Sequence, residues 1–462
     1  MVVQASVDIG PFMARTAAAN LYVQCFPLVL ADAVRRSHRL GAHQFQILSE
    51  DGAALAPGLA EDDPLIIVSS AWMDLSNEPA VLRLPHTRGR YINATLMDSA
   101  GEPFASLGAR TGDDAGADLA LVGPRWRGEL PAGVKAKRAP SEQVWVVCRL
   151  RAHSSLDLGE ALATARRVCV ASLSRRPDPL PAALSTPEPR PWSCLRQIEE
   201  LAPAAFFDRL DAILERAPAS FHQSVLPRIA AIRRELGGPP KSSTWSPEFE
   251  QALAVGLEEG AAAVRSAAGS LMASGEAEWR TSPSAGSSSA IDALTRAARA
   301  YSGMGAPLRD DQLTLICGHD DKGRPLSGAQ AYRIHFSRGG LPPVDAFWRL
   351  STRPAESSAQ RPGLGSRSDL ALNPDGSLDI FLQHEPPSPE RMSNWLQTPR
   401  AAWSLVLRLY CPQTVAFGGL WRSPSLQRLE PGSGSDRPQR SGATVLQLPL
   451  RASFGLRSNL GT

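Results

Sequence analysis

The chain has 462 residues, 43% of them hydrophobic and 21% charged, with a formal net charge of +3. That length predicts two or three compact units, and that composition excludes a disordered or fibrous chain. The small charge is dispersed without a Lys/Arg block, so no nucleic-acid partner is expected.

From Phe12 to Arg39 apolar residues recur at helical spacing, with Pro27 as an expected kink or break. Between 42 and 151 the texture changes to short apolar runs punctuated by turns: Phe45–Leu48, Leu65–Val68, Ala80–Leu84, Tyr91–Leu96, Leu119–Val122 and Gln143–Val147. Such runs predict an antiparallel sandwich or barrel. A helical pattern covers Leu158–Val170, and a proline-rich stretch from Pro177 to Pro191 reads as an extended connection. Helices are predicted again over Leu195–Leu236, Pro247–Met272 and Ala290–Tyr301, with Ser282–Ser289 as a linker.

The last third returns to strands. Gln312–Cys317 and Ala331–Phe336 flank a hairpin-like turn at His319–Arg324, and Ala346–Ser351 follows. Asn373-Pro374-Asp375-Gly376 is a strong turn signal leading into Ser377–Gln383, and Trp403–Tyr410 is a further strand. Pro431–Arg440 reads as a polar linker, and Thr444–Leu450 as a final edge strand.

Cys25, Cys148, Cys169, Cys194, Cys317 and Cys411 form no CxxC and sit in apolar or mixed contexts, which predicts buried free thiols. No run reaches the ~18–20 apolar residues of a bilayer span, and the start lacks a basic n-region and cleavage site. As written the chain reads as cytoplasmic, or as periplasmic if a leader precedes it.

Several segments carry a family resemblance. Ser69-Ser70-Ala71-Trp72-Met73-Asp74-Leu75-Ser76, Gly89-Arg90-Tyr91, Phe104–Thr111 and Val122–Gly128 resemble a bacterial family, the domain of unknown function 1254. Gly303–Ala306, Gly340–Trp348, Asn373–Ile380, Asn394-Trp395-Leu396 and Leu407–Tyr410 resemble its usual partner, the domain of unknown function 1214. The resemblance implies two jelly-roll-like sandwiches separated by helices and brings no reaction with it. One departure stands out: relatives carry Asn-x-Asp-Thr-Leu-Tyr where this chain reads Glu61-Asp62-Asp63-Pro64-Leu65-Ile66, so a strand threonine and tyrosine are gone.

The expected fold is therefore mainly β with helical segments: two antiparallel jelly-roll-like β-sandwich domains joined by a helical middle region. The boundaries are an N-terminal helical segment at 1–40, a sandwich at 41–150, a helical and Pro-rich connection at 151–300, a second sandwich at 301–430 and a tail at 431–462.

The chemistry is weakly marked. Gly-x-Ser-x-Gly, Ser-x-x-Lys, phosphate-loop and dinucleotide signatures are missing, and the eight histidines form no chelating motif, so no metal or cofactor is expected. Trp72 and Asp74, two apart, share one face of a strand and could stack on and hydrogen-bond a sugar or aromatic ligand; the bland alternative is a core tryptophan and a turn-capping aspartate. Arg90, Arg110 and Arg408 could recognise a carboxylate or merely pair with Asp74, Asp98 or Asp379. Asp379 and Gln383 share a strand face that either lines a pocket or is simply solvated. Asn394-Trp395 reads as a loop anchor.

Three functions stay open at this point. One is a protein binding a small molecule or carbohydrate on a concave sandwich face. Another is a hydrolase-type enzyme with paired carboxylates, Asp74 with Asp98 or Asp379, between the sandwiches. The last is a structural or assembly protein, with a homo-oligomer in view.

Overall fold

The structure is a computed structural model, and it describes residues 10–38, 40–48, 56–59, 61–174, 183–184, 194–214, 226–235, 245–272, 279–282, 291–354, 363–417 and 420–429. The proline-rich stretch, the linker beyond Ser282, the polar tail and the final edge strand expected above lie outside these residues. The chain divides into two compact units: 1–108, 113–273 and 283–309 form the first, and 109–112, 274–282 and 310–462 form the second.

Among the described residues of the first unit, ten strands build two sheets. They are β1 (Gln46–Leu48), β2 (Ile66–Asp74), β3 (Ala80–Leu84), β4 (Ile92–Met97), β5 (Pro103–Gly108), β6 (Ala117–Val122), β7 (Ala136–Arg138), β8 (Gln143–Arg151), β9 (Cys169–Ser172) and β10 (Ala183–Leu184). The larger sheet has the order β10-β1-β2-β8-β4-β5, and the smaller β7-β6-β3-β9. Ala71 and Met73 of β2 and Val144, Val146 and Cys148 of β8 meet Leu82 of β3 and Leu121 of β6 in one core. Because side chains alternate along a strand, Ser70, Trp72 and Asp74 fall on the opposite face, with Trp145 and Arg149 beside them.

Helices complete this unit: α1 (Pro11–Ser37), α2 (Leu158–Ala165), α3 (Cys194–Glu199), α4 (Pro203–Leu214), α5 (Leu226–Glu235), α6 (Pro247–Met272) and α7 (Ala293–Gly303). Alanines 14, 17 and 18 let α1 approach α6 closely, and a Cβ on Gly256 would sit 2.2 Å from the Arg15 carbonyl. The expected break at Pro27 does not occur: α1 runs through it, buried from Cys25 to Val34. Tertiary packing here overrides a proline's local penalty. No run of about 18–20 apolar residues is expected, yet by length and composition α1 could cross a bilayer; 78% of its most apolar stretch is buried inside the protein, as in the core helix of a globular domain.

The second unit contains β11 (Arg280–Thr281), β12 (Gln312–Cys317), β13 (Ala331–Phe336), β14 (Val344–Pro354), β15 (Gly363–Gly365), β16 (Leu378–Gln383), β17 (Trp395–Gln397), β18 (Trp403–Pro412) and β19 (Leu426–Leu429). They form sheets β11-β12-β18-β14-β15 and β17-β16-β13-β19, whose facing apolar residues share a core including Leu313, Ile334, Leu350, Ile380 and Leu407. The fold is thus mainly β with helical segments, in two sandwich-like units.

Two local expectations are corrected. The turn at His319–Arg324 is tight, with Asp320 N–H donating to the Arg324 carbonyl at 2.9 Å, yet it joins strands of different sheets rather than a hairpin. The helical pattern over 158–170 stops at Ala165, and Cys169–Ser172 pairs with β3 instead. The Asn373–Gly376 turn forms as read, with Gly376 at φ +82° and its N–H on the Asn373 carbonyl. All six cysteines are buried thiols outside any disulfide.

Candidate functional site

A cavity of about 620 Å³ opens over the outer face of β2 in the first unit. Its floor is Trp72, which is 4% exposed and stacked on Trp145 at 5.6 Å with the rings nearly parallel. The two indoles differ in one respect. Trp145 Nε1 donates to Ser70 Oγ at 2.7 Å, whereas Trp72 Nε1 is buried with no hydrogen-bond partner among the described residues. A buried unsatisfied N–H costs about 1–3 kcal/mol, so it calls for an explanation.

Around this floor stand Asp74 and Ser76 from the end of β2, His38 and Gly41 after α1, and Arg125, Glu142 and Gln143. Asp74 Oδ1 accepts from Ser76 N–H at 3.0 Å, the turn-capping role that sequence reasoning offered as its bland alternative. Partial burial pushes the Asp74 carboxyl up, but hydrogen bonds from Ser76 and Gln143, with the His43 charge, outweigh that and hold it below its ordinary value. Trp72 and Asp74 do share one face and one cavity, as their spacing requires.

Charges around the cavity balance. Arg35 and Arg36 both reach Asp32, at 2.8 and 2.7 Å, and Arg125 Nε donates to Glu142 at 2.7 Å. The lining thus holds three guanidiniums and two carboxylates, Asp74 and Glu142, and Asp32 behind the wall supplies the third acid. His38 Nε2 lies 2.9 Å from the Ser70 carbonyl, which anchors the wall to the strand.

The other sequence candidates scatter. Arg90 forks onto Asp157 at 2.8 and 2.5 Å and donates to the Thr87 carbonyl, a buried structural pair. Arg110 pairs with Asp311 at 2.5 Å in the second unit. The acids offered from sequence were Asp74, Asp98 and Asp379; a distant chain segment supplies each real partner instead. Asp98 is buried, accepts from Ala100 and Glu102 N–H, and does not line the cavity. Arg408 is buried on β18, in register with Thr314 and Arg349.

In the second unit Asp379 lines a cavity of about 420 Å³ with Arg333, His335, Asn373, Asp375 and Gln427. Gln383 shares its strand face but donates to the Glu385 carbonyl at 2.8 Å, away from that cavity. Asn394 is the expected loop anchor, bonded to both backbone groups of Ala371, while Trp395 Nε1 donates to the Gln383 carbonyl. Among the described residues no three His, Cys, Asp or Glu could hold a metal ion.

Residues 62–171 match the family described as Protein of unknown function (DUF1254), and residues 311–414 match Protein of unknown function (DUF1214). The two matches fall in the N-terminal and C-terminal parts of the chain, the first in the first compact unit apart from 109–112 and the second in the second unit. The DUF1254 segment supplies Trp72, Asp74, Arg125, Glu142 and Gln143, while His38 and the arginines of α1 precede it; the DUF1214 segment supplies Arg333, His335 and Asp379. In solved structures the chain is similar to the VPA0106 protein from Vibrio parahaemolyticus, at 18% identity and TM-score 0.64, covering 90% of this chain and 100% of that one. An uncharacterized protein from Burkholderia cenocepacia aligns at 11% identity and TM-score 0.43, covering 90% and 94%. The first likeness extends to the fold alone. No curated protein matches the chain.

Sequence reasoning did not single out His38, Arg35, Glu142, Gln143 or His335 as site residues. Only the polar half of the strand alternation, Arg333 and His335 between Tyr332, Ile334 and Phe336, could have pointed to the last of these.

Proposed function

We propose that the first unit binds a small, neutral, polyhydroxylated molecule of the carbohydrate class in the cavity over β2. The observation that carries this reading is the Trp72 indole: one face is stacked on Trp145, and its N–H is the unsatisfied member of an otherwise satisfied pair. With the indole 4% exposed and Nε1 buried, a ligand hydroxyl reaches that N–H only as the surrounding wall yields, and it would then satisfy the donor while the sugar packs against the indole edge. Asp74 and Gln143 supply acceptor and amide groups for hydroxyls. Arg35 and Arg36 are both held by Asp32 and Arg125 by Glu142, so no guanidinium is left without an acid to attract an anion, which favours a neutral ligand over an acidic one. The volume of about 620 Å³ suits a small-molecule site.

The test is calorimetric titration of the full chain with neutral mono- and disaccharides, with uronic acids as the charged comparison. Trp72→Phe keeps an aromatic floor and removes the N–H. It should weaken binding of a neutral sugar by about 1 kcal/mol, roughly fivefold in Kd; the ring volume lost from a buried, stacked indole costs some thermal stability, so affinities are compared well below both melting temperatures. Equal affinity in both proteins, or tighter binding of uronic acids, would overturn the reading.

A further inference from the structure

We infer that the second unit holds an acid–base site of its own, in which His335, oriented by Asp379, acts as general base in the hydrolysis of a small neutral carboxylic ester. The two residues are direct cross-strand partners on β13 and β16. They lie on the face opposite Ile334 and Ile380, both fully buried in the core. His335 Nδ1 lies 2.8 Å from Asp379 Oδ1, while Asn373 Nδ2 donates to Oδ2 at 3.0 Å. Each carboxylate oxygen is therefore committed, and the carboxylate has one orientation.

An acceptor on Nδ1 fixes the proton there and leaves Nε2 as the basic nitrogen. Nε2 has no hydrogen-bond partner among the described residues, and His335 is 41% exposed at the edge of the 420 Å³ cavity. Asn373 is itself placed by the Asn373–Gly376 turn, so the orienting chain runs from backbone to amide to carboxylate to imidazole. This is the base-plus-orienter half of a hydrolytic site.

The step balances without a further reagent. A water oxygen bonds to the acyl carbon as its proton passes to His335 Nε2. The tetrahedral adduct then collapses, the bond to the alcohol oxygen breaks, and that oxygen takes the proton from Nε2. Nothing is oxidised or reduced. Arg333 lines the same cavity, with Nη2 donating to Gln427 Oε1 at 2.7 Å and Nε 3.8 Å from Asp379 Oδ1; its positive charge stands near the oxygen on which charge develops. One guanidinium stands against Asp375 and Asp379 in the cavity lining, which disfavours an anion and suits an uncharged ester.

The experiment follows p-nitrophenyl acetate hydrolysis by the full chain, with p-nitrophenyl phosphate as the anionic comparison. His335→Ala should lower the protein-dependent rate on the order of 10²-fold with an unchanged melting temperature, and added imidazole should restore part of it. Asp379→Asn should lower kcat while leaving KM, with Asp379→Glu recovering part of the loss. A wild-type rate in His335→Ala, a loss that imidazole does not rescue, or preferential cleavage of the phosphate would each overturn the inference. The site is separate from the cavity over β2, so sugar binding neither supports nor weakens it.

Discussion

Replacing Arg149 with methionine should be among the most damaging single changes to the first unit. Arg149 is fully buried on β8 and its partner Glu61 is 4% exposed; Nε donates to Glu61 Oε1 at 2.7 Å. Nη2 also donates to the Gly58 carbonyl at 2.6 Å and the Gly305 carbonyl at 2.9 Å. One guanidinium thus ties β8 to the segment before β2 and to the residues after α7. Methionine fills similar volume but leaves a buried carboxylate without its cation and two carbonyls without their donor. Removing one partner of a buried pair costs about 3–5 kcal/mol. At about 2–4 °C per kcal/mol, the melting temperature should fall by roughly 6–20 °C. Arg149→Met with Glu61→Leu should recover much of the loss, because a pair of apolar residues leaves no stranded charge. Thermal unfolding followed by near-ultraviolet circular dichroism reads both. A single variant within about 2 °C of wild type would refute the reasoning, as would a double variant worse than the single.

Burial pushes the Asp98 carboxyl up to about 7, against a loop where Ala100 and Glu102 N–H groups bond it. The unfolded chain releases that proton near pH 4, so this group's contribution is greatest below about pH 4 and declines as pH rises toward 7. Asp98→Asn keeps the accepting oxygen and should remove that decline, raising stability at pH 8 by on the order of 4 kcal/mol; denaturant midpoints measured from pH 4 to 8 check it. Gly305 sits at φ +91°, and a Cβ there would lie 2.9 Å from the Trp145 ring and 3.2 Å from Leu59. Gly305→Ala should therefore cost about 1–3 kcal/mol and shift the paired-indole signal in near-ultraviolet circular dichroism; an unchanged spectrum would count against the stack as a rigid floor.

Much of the architecture was legible because period-two alternation and turn chemistry are local. Leu378, Ile380 and Leu382 face the core while Asp379 and Gln383 do not, which the sequence alone indicates. What local pattern does not carry is partner choice. Arg90 finds Asp157, 67 residues away, and Arg110 finds Asp311, 201 residues away, and nothing near either arginine names its acid. The same limit explains Pro27, whose penalty is visible locally whereas the helices that override it lie elsewhere in the chain. It also explains Glu142 and His38, which become cavity residues only because β8 pairs with β2 and α1 ends beside them.

The two cavities share a physical origin. In each unit the core takes one face of every strand, so polar side chains at alternate positions are driven to the other face, where they cost little while water reaches them. A cavity then needs only a wall. The end of α1 provides it over β2, and the Asn373–Gly376 turn provides it beside β16. What separates the two is how the polar groups are spent. Over β2 each guanidinium meets an acid, and the unused capacity is a neutral indole N–H above a stacked ring, which suits recognition of a neutral molecule. Beside β16 the carboxylate is spent on holding an imidazole, and the unused capacity is a basic nitrogen, which suits moving a proton. Arg90 and Arg110, which look like anion readers in the sequence, are consumed in holding the scaffold by Asp157 and Asp311.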